Sequence, residues 1–261
     1  MIHPSSIVSP NAQIGVDVEI GPFCTVADNV VVGDRTRLMS HVVLDNGARI
    51  GDDVVLHPGA VIGTAPQDLK YAGEETLAIV GNRTVVRECV TVNRGTSSTG
   101  KAEVGEDCLL MAYSHVAHDC IVGNHVILAN AVQLGGHVVV GDWAIIGGVT
   151  GVHQFVRIGE HAMVGACTKA AKDVPPFTLA SREPIVVEGV NAVGLRRRGF
   201  TQQTIAAIES FYTVLLFQGF NTTDGIAEYE QRTPVIDPAV VRAIDFIRNS
   251  KRGIYRGASR L

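Results

Sequence analysis

Aromatic side chains are scarce in this chain. Phe, Trp and Tyr make up 5% of its 261 residues, with a single Trp. Charge is sparse as well: Asp, Glu, Lys and Arg account for 18%, and the net charge is -4. This weak acidity argues against nucleic acid as a partner. No apolar run approaches the roughly 18 residues that a spanning helix needs, so stable membrane insertion is not expected. The opening segment, MIHPSSIVSP, lacks the basic start and apolar core of a secretory signal. Five cysteines, at 24, 89, 108, 120 and 167, form no CxxC pair. Their odd number and wide spacing argue against a disulfide framework or structural zinc, and a reducing cytoplasm is the expected location.

What is abundant is small or β-branched. The chain is 46% hydrophobic, with 28 Gly and 38 Val. High apolar content with low charge excludes a disordered chain. So much Val and Gly with little Leu argues against a mostly helical one. The order of these residues is regular. Stepping by six from Ile2 to Ile62 meets eleven aliphatic residues without a miss. The phase returns at Val80, Val86 and Val92, and runs through eleven more from Val104 to Val164. Eleven hits in succession would arise by chance about once in 2,000. Neither a helix nor a flat strand has this period. Gly often follows the aliphatic, as at 15, 21, 33, 51, 123 and 141, and a small or β-branched residue often lies four after it. Glycine permits the positive φ of a sharp corner, so these glycines read as the corner residues. Cys24, Cys108 and Cys120 fall in the small inward slot and read as packing atoms.

The period is the hexapeptide signature of a parallel β-helix. The expected architecture is an all-β solenoid of three short strands and 18 residues per coil over residues 1–190, followed by a C-terminal α-helical domain at 191–261. Two interruptions fit no hexad: 63–79 (GTAPQDLKYAGEETLAI) and 93–103 (NRGTSSTGKAE). Insertions in solenoids map to loops on one face, often the binding face, and the first carries Gln, Asp, Lys and Tyr together. Past 190, Ile205, Ile208, Tyr212 and Leu215 share one helical face, and Asp237-Pro238 reads as N-cap and N1 of another helix. Thr222 to Glu230 reads as a short helix between them.

An 18-residue coil turns sequence into columns. His118, Gly136 and Gln154 are 18 apart; so are Asp119, His137 and Phe155; so are Ala117, Gly135 and His153. One patch therefore gathers His118, Asp119, Gly136, His137, His153 and Gln154, with His115 nearby. Four of the chain's nine histidines fall there. Three readings fit. A general base is one, with Asp119 orienting the imidazole and Gly136 offering an unobstructed N–H to an oxyanion. A metal site is another, although the three-residue spacing of His115 and His118 turns them to different faces. Surface histidines on a non-catalytic scaffold are the third.

Several segments go further: PQDLKYAGE (66–74), HVAHDC (115–120), GGHVVVGDWAIIGG (135–148), GVHQFVRIG (151–159), KDVPPF (172–177) and GLRRRGF (194–200). Together they resemble the UDP-N-acetylglucosamine O-acyltransferase family, whose members take the first step of lipid A synthesis. The resemblance covers nearly the whole chain. It implies a left-handed β-helix, a homotrimer with sites between neighbouring solenoids, and no metal or cofactor. It also implies transfer of a 3-hydroxyacyl chain from acyl carrier protein to UDP-N-acetylglucosamine. By the same resemblance His118 is the general base, Asp119 its partner and Gly136 the oxyanion donor. Asp68 and Lys70 hold sugar and phosphates. His115, His137 and Gln154 make further substrate contacts, and His153 lies at the cleft wall. Asn191, Arg197 and Arg198 meet the nucleotide end, and Ala166 lies in the acyl-chain pocket. One departure concerns that end: Val193 stands where the family pattern has Glu. The last sixteen residues hold five basic groups and no acid, a docking surface for an acidic carrier. A related N-acyltransferase of the same pathway is a second reading, but its extra N-terminal domain has no counterpart before hexads that begin at residue 2. A zinc-type carbonic anhydrase fold is a third.

Overall fold

The computed structural model describes residues 1–257. Short strands recur every six residues and stack into three parallel sheets. The first sheet has nine strands from Ile7–Val8 to Lys169–Ala170, and the second has eight from Gln13–Ile14 to Arg157–Ile158. The third has ten, from Glu19–Ile20 to Val186–Val190. The chain visits them in turn, which makes the solenoid a triangular parallel β-helix; it is left-handed, as the resemblance implies. Register follows the hexads: Ile7 pairs with Thr25, Val31 with Arg49, and Leu109 with Ile127. One residue of each two-residue strand points inward; it is half-buried in the first two strands, at Val8 and Ile14, and buried in the later ones, as Leu38, Leu56, Leu110, Leu128 and Ile146 are in the third sheet. Full burial of each such side chain contributes roughly 1.5–3 kcal/mol. The inward cysteines pack as expected, and burial pushes the thiols of Cys108 and Cys120 up to about 11 and 12.

The glycines do a different job from the one expected. Positive φ falls two residues later, on Asp17, Arg35, Asp53, His125 and Trp143. Apart from Gly63, whose φ is 93°, the glycines after the aliphatics keep ordinary φ but have no room for a Cβ. A Cβ on Gly33 would lie 2.5 Å from the carbonyl carbon of Gly51 in the next coil. Glycine is there because successive coils touch at the corners. Large rings are excluded from the narrow interior and sit on the corners instead, as Phe23, Trp143 and Phe155 do.

The insertions are shorter as loops than the sequence suggested. Strands Val61–Thr64, Leu77–Val80, Thr91–Asn93 and Lys101–Val104 extend into them by pairing with one another. The excursions are 65–76 and 94–100. Val61 pairs with Thr91 across 30 residues, and Thr91 with His115 across 24. The insertions thus add 12 and six residues to the 18-residue coil, whole multiples of the hexad, which is why the phase survives them. Both leave the solenoid at the corner between the first and second sheets.

The last coil is closed by an antiparallel hairpin, Thr178–Ser181 with Val186–Val190. Four helices follow: α1 Ala192–Arg197, α2 Gln202–Phe217, α3 Thr222–Arg232 and α4 Pro238–Arg248. Asp237 caps α4 with Pro238 at its start, as read from the sequence. The short α1 was not foreseen. Its six residues are too few to show a helical period, and its cap is the Asn191 side chain.

Candidate active site

The corner between the first and second sheets carries 117–120, 135–138 and 153–156 in successive coils. The predicted columns hold. His137 N–H donates to the His118 carbonyl at 3.1 Å, and Phe155 N–H to the Gly136 carbonyl at 3.1 Å. His118 and Asp119 are joined through Nδ1 and Oδ2 at 2.7 Å. Asp119 is buried. Burial alone would raise its pKa, but hydrogen bonds from Thr99, His118 and Thr96 outweigh it and hold the carboxyl at about 2. An ionised carboxylate only accepts, so His118 Nδ1 is the donor and Nε2 carries the lone pair.

Asp119 is fixed by the second insertion. Thr96 gives its N–H to Oδ1 at 3.0 Å and its hydroxyl to Oδ2 at 2.7 Å, and the Thr99 hydroxyl also bonds Oδ1. The sequence reading missed both threonines. Counting 24 residues back across the insertion, rather than 18, would have brought Gly95 and Thr96 beneath Asp119. The two loops brace each other: Arg94 donates to the Tyr71 hydroxyl at 2.8 Å, and Glu74 accepts from Ser97 N–H at 3.2 Å.

His118, Asp119 and His137 present ligand atoms within 4.8 Å of one another, close enough for a metal ion. The donor set does not fit one well. Thr96, Thr99 and His118 already use the four acceptor positions of Asp119, and His137 Nε2 stands off at 3.6 Å. The His137 ring instead stacks on Phe155 at 4.5 Å and meets His118 edge-on.

Gly136 packs against the imidazole. A Cβ there would sit 2.5 Å from His118 Cε1 and 2.6 Å from Nε2. The residue is buried, and among the described residues its N–H has no hydrogen-bond acceptor. A buried N–H without a partner is rare and asks for a ligand or water. A groove of about 660 Å3 runs past this point. Gln67 from the first insertion, His115, Gln133, Gly151 and Lys169 along the first sheet, and His118, Gly136, His153 and Gln154 line it. Burial, with a smaller effect from His118, holds the His115 pKa low, and its Nδ1 meets the Thr91 hydroxyl at 2.7 Å. Gln67 was noted only as one of the polar residues of the first insertion, and Gln133 and Lys169 were not singled out in the sequence.

Other expected residues lie elsewhere. Asp68 and Lys70 stay on the first insertion, where Asp68 Oδ1 accepts from Lys70 N–H at 3.0 Å, and neither lines the groove. Asn191 and Arg198 gather at the corner between the second and third sheets, beside His161, while Arg197 is exposed at the end of α1. Ala166 is exposed on the third corner. Within the basic C-terminal stretch, Arg248 pairs with Glu230, Arg252 bonds the Ala171 carbonyl and Arg256 bonds the Leu215 carbonyl. Arg260 lies outside the described residues. Among the described residues of this stretch, only the charge of Arg248 is neutralised by an acid, while Arg252 and Arg256 keep theirs but are tied to the backbone.

Comparison with known proteins agrees with this fold. The family description "Udp N-acetylglucosamine O-acyltransferase; Domain 2" matches residues 173–255, and "Bacterial transferase hexapeptide (six repeats)" matches 101–136. A third, "GMPPB C-terminal domain", matches 2–102. The acyl-[acyl-carrier-protein]–UDP-N-acetylglucosamine O-acyltransferase of Janthinobacterium sp. is 42% identical over 98% of this chain and 99% of its own length. The chain belongs to the UDP-N-acetylglucosamine O-acyltransferase family. A solved UDP-N-acetylglucosamine acyltransferase from Bacteroides fragilis superposes with a TM-score of 0.96 at 43% identity, covering 98% of this chain and all of that one. The protein from Acinetobacter baumannii gives 0.94 at 39%, covering 98% and 99%. The acyltransferase family shares this solenoid from end to end, helical cap included. Among the described residues no helix is long and apolar enough to cross a membrane.

Proposed function

We propose that this acyltransferase moves a 3-hydroxyacyl chain from acyl carrier protein to the 3-hydroxyl of UDP-N-acetylglucosamine, the first step of lipid A biosynthesis. His118 Nε2 removes the proton from the sugar hydroxyl. The oxygen attacks the thioester carbonyl, and the Gly136 N–H bonds the oxyanion. Collapse breaks the C–S bond, and the departing sulfur takes the proton back from the imidazolium. Asp119 keeps the tautomer and stabilises the transient charge. No metal or cofactor enters these steps. The observation that carries the reading is the juxtaposition at one corner of an oriented imidazole with a buried N–H that lacks an acceptor.

His115, Gln154 and His153 line the same groove and would contact the acyl donor or the sugar. His137 supports the His118 ring edge-on. Asp68 and Lys70 would meet the sugar and phosphates, Asn191, Arg197 and Arg198 the nucleotide end, and Ala166 the acyl chain. These groups occupy three different corners of one solenoid, so one substrate reaches them all only where copies meet. A closed homotrimer supplies that arrangement. It acts in the cytoplasm, where acyl carrier protein is found.

The test is incubation with UDP-N-acetylglucosamine and a panel of 3-hydroxyacyl carrier proteins, with products read by mass. A monoacylated nucleotide sugar is expected, and its absence across the panel refutes the assignment. Light scattering should give three times the 27.7 kDa chain mass.

A further inference from the structure

Arg198 does not project freely from the second–third corner. Its Nη1 lies 3.2 Å from His161 Nδ1, and its guanidinium covers the Trp143 ring with 5.3 Å from Cζ to the centroid. The Asn191 amide donates to the His161 carbonyl at 3.0 Å. Two residues assigned to the nucleotide end therefore converge on a third that neither the sequence motifs nor the mechanism above uses.

His161 suits that task. A guanidinium has donors only, so Nδ1 must offer a lone pair and the ring proton must sit on Nε2. The ring is buried, walled by Trp143 parallel at 6.2 Å, Phe177 at 5.8 Å and Phe200 edge-on at 4.9 Å. Burial first, then the charges of Arg198 and Arg242, hold its pKa down to about 4, with Asp142 opposing. The imidazole is neutral at physiological pH, as the contact with Arg198 requires. Long cationic side chains otherwise lose much rotamer freedom when they bind a ligand.

We infer that His161 is a positioning residue for the nucleotide end: its ring nitrogen fixes the Arg198 fork and its carbonyl fixes Asn191, so both address the substrate in one arrangement. This rests on the reading that Arg198 and Asn191 contact the nucleotide.

Steady-state kinetics on the full chain test it, with His161→Phe, His161→Asn and Arg198→Ala side by side. Phe keeps the ring packing, and Phe155 and Phe177 already adopt positive φ at equivalent corners. Asn tolerates the φ of 55° at this position and returns an acceptor oxygen near Nδ1. His161→Phe should raise KM for UDP-N-acetylglucosamine about tenfold, with kcat and the KM for acyl carrier within about twofold, the signature of lost binding alone. His161→Asn should recover most of the loss. Combining His161→Phe with Arg198→Ala should be no worse than Arg198→Ala alone. If Arg198→Ala raises KM and His161→Phe does not, the inference is overturned while the nucleotide assignment stands. If Arg198→Ala itself leaves KM unchanged, both fall. A uniform loss of kcat with a lowered melting temperature in both His161 variants would reduce His161 to a packing residue and overturn the inference.

Discussion

Two corners of the prism share one backbone geometry and use it differently. At the second–third corner, side chains satisfy the backbone. Asn124 N–H donates to Asp142 Oδ1 at 2.8 Å, Glu106 N–H to Asn124 Oδ1 at 2.9 Å, and Asp34 N–H to Asp52 Oδ1 at 2.8 Å. Most coils cap the one before them in this way; among the described residues the N–H groups of Asn82 and Asp142, each followed in the column by a Glu, have no such cap. At the first–second corner, His118, Gly136 and Gln154 occupy the equivalent column, and the Gly136 N–H is left without such a cap. Both insertions open at that corner too. Catalytic potential arises where the repeat stops satisfying itself, a common trait of functional sites.

The largest effect should come from the group that has no counterpart on the other corner. His118→Ala is expected to lower kcat by about 10²–10⁴, the usual range for a general base. The melting temperature should stay nearly unchanged, because the ring is partly exposed at a corner and not in the core. A variant with unchanged turnover would break the comparison at its centre.

Gly136→Ala tests the same corner by volume. The added methyl claims the space of the imidazole, 2.5 Å from Cε1. The ring must leave Asp119 or tilt, and about a 100-fold loss of kcat is expected from misplacing the base. A crystal structure of the variant should show the His118–Asp119 bond lengthened or broken. The same substitution at Gly151, where no atom lies near a Cβ, should be milder.

The solenoid was legible because its cause is one-dimensional: an inward aliphatic every six residues, wherever the chain turns. Ile2 to Ile62 shows it without any structure. The role of these glycines was misread at all but Gly63, since positive φ and inter-coil contact both favour glycine and only coordinates separate them. The His118 column was legible because 18 is a fixed coil length there. Thr96 and Thr99 were not, because the second insertion lengthens its coil to 24 and shifts every column below it. The link between His161 and Arg198 joins a corner to the end of α1, and no period connects the two.

Acid separates the corners as well. The folded pKa of His161 is held at about 4, below its ordinary value of 6.5. The unfolded chain binds the proton first, so stability present above pH 6.5 is lost as pH falls toward 4. Asp119 is held at about 2 against an ordinary 3.8, so its contribution is lost only between those values. The second–third corner should weaken before the catalytic one, by at most about 3 kcal/mol. Melting curves from pH 7 to 4 check this. His161→Asn, which does not titrate, should flatten the slope, leaving the part due to His115, whose pKa burial also holds low. An identical slope in the variant would assign the acid response elsewhere.

The sharpest test exchanges the corners. Asn124→Ala removes the cap from Glu106 N–H and should cost about 1 kcal/mol of stability with turnover unchanged. The reverse change is Gln154→Asn. Residue 154 stands 18 after Gly136, as Asp142 stands 18 after Asn124, whose N–H it caps. An Asn side chain there is short enough to turn back and accept from the Gly136 N–H. The variant should gain about 1 kcal/mol and melt a few degrees higher. It should also lose about tenfold in kcat, because the N–H would no longer be free for the oxyanion. Opposite signs in stability and turnover separate this from ordinary damage, which lowers both. If Gln154→Asn loses activity without gaining stability, the unpartnered N–H is not the resource that distinguishes the two corners.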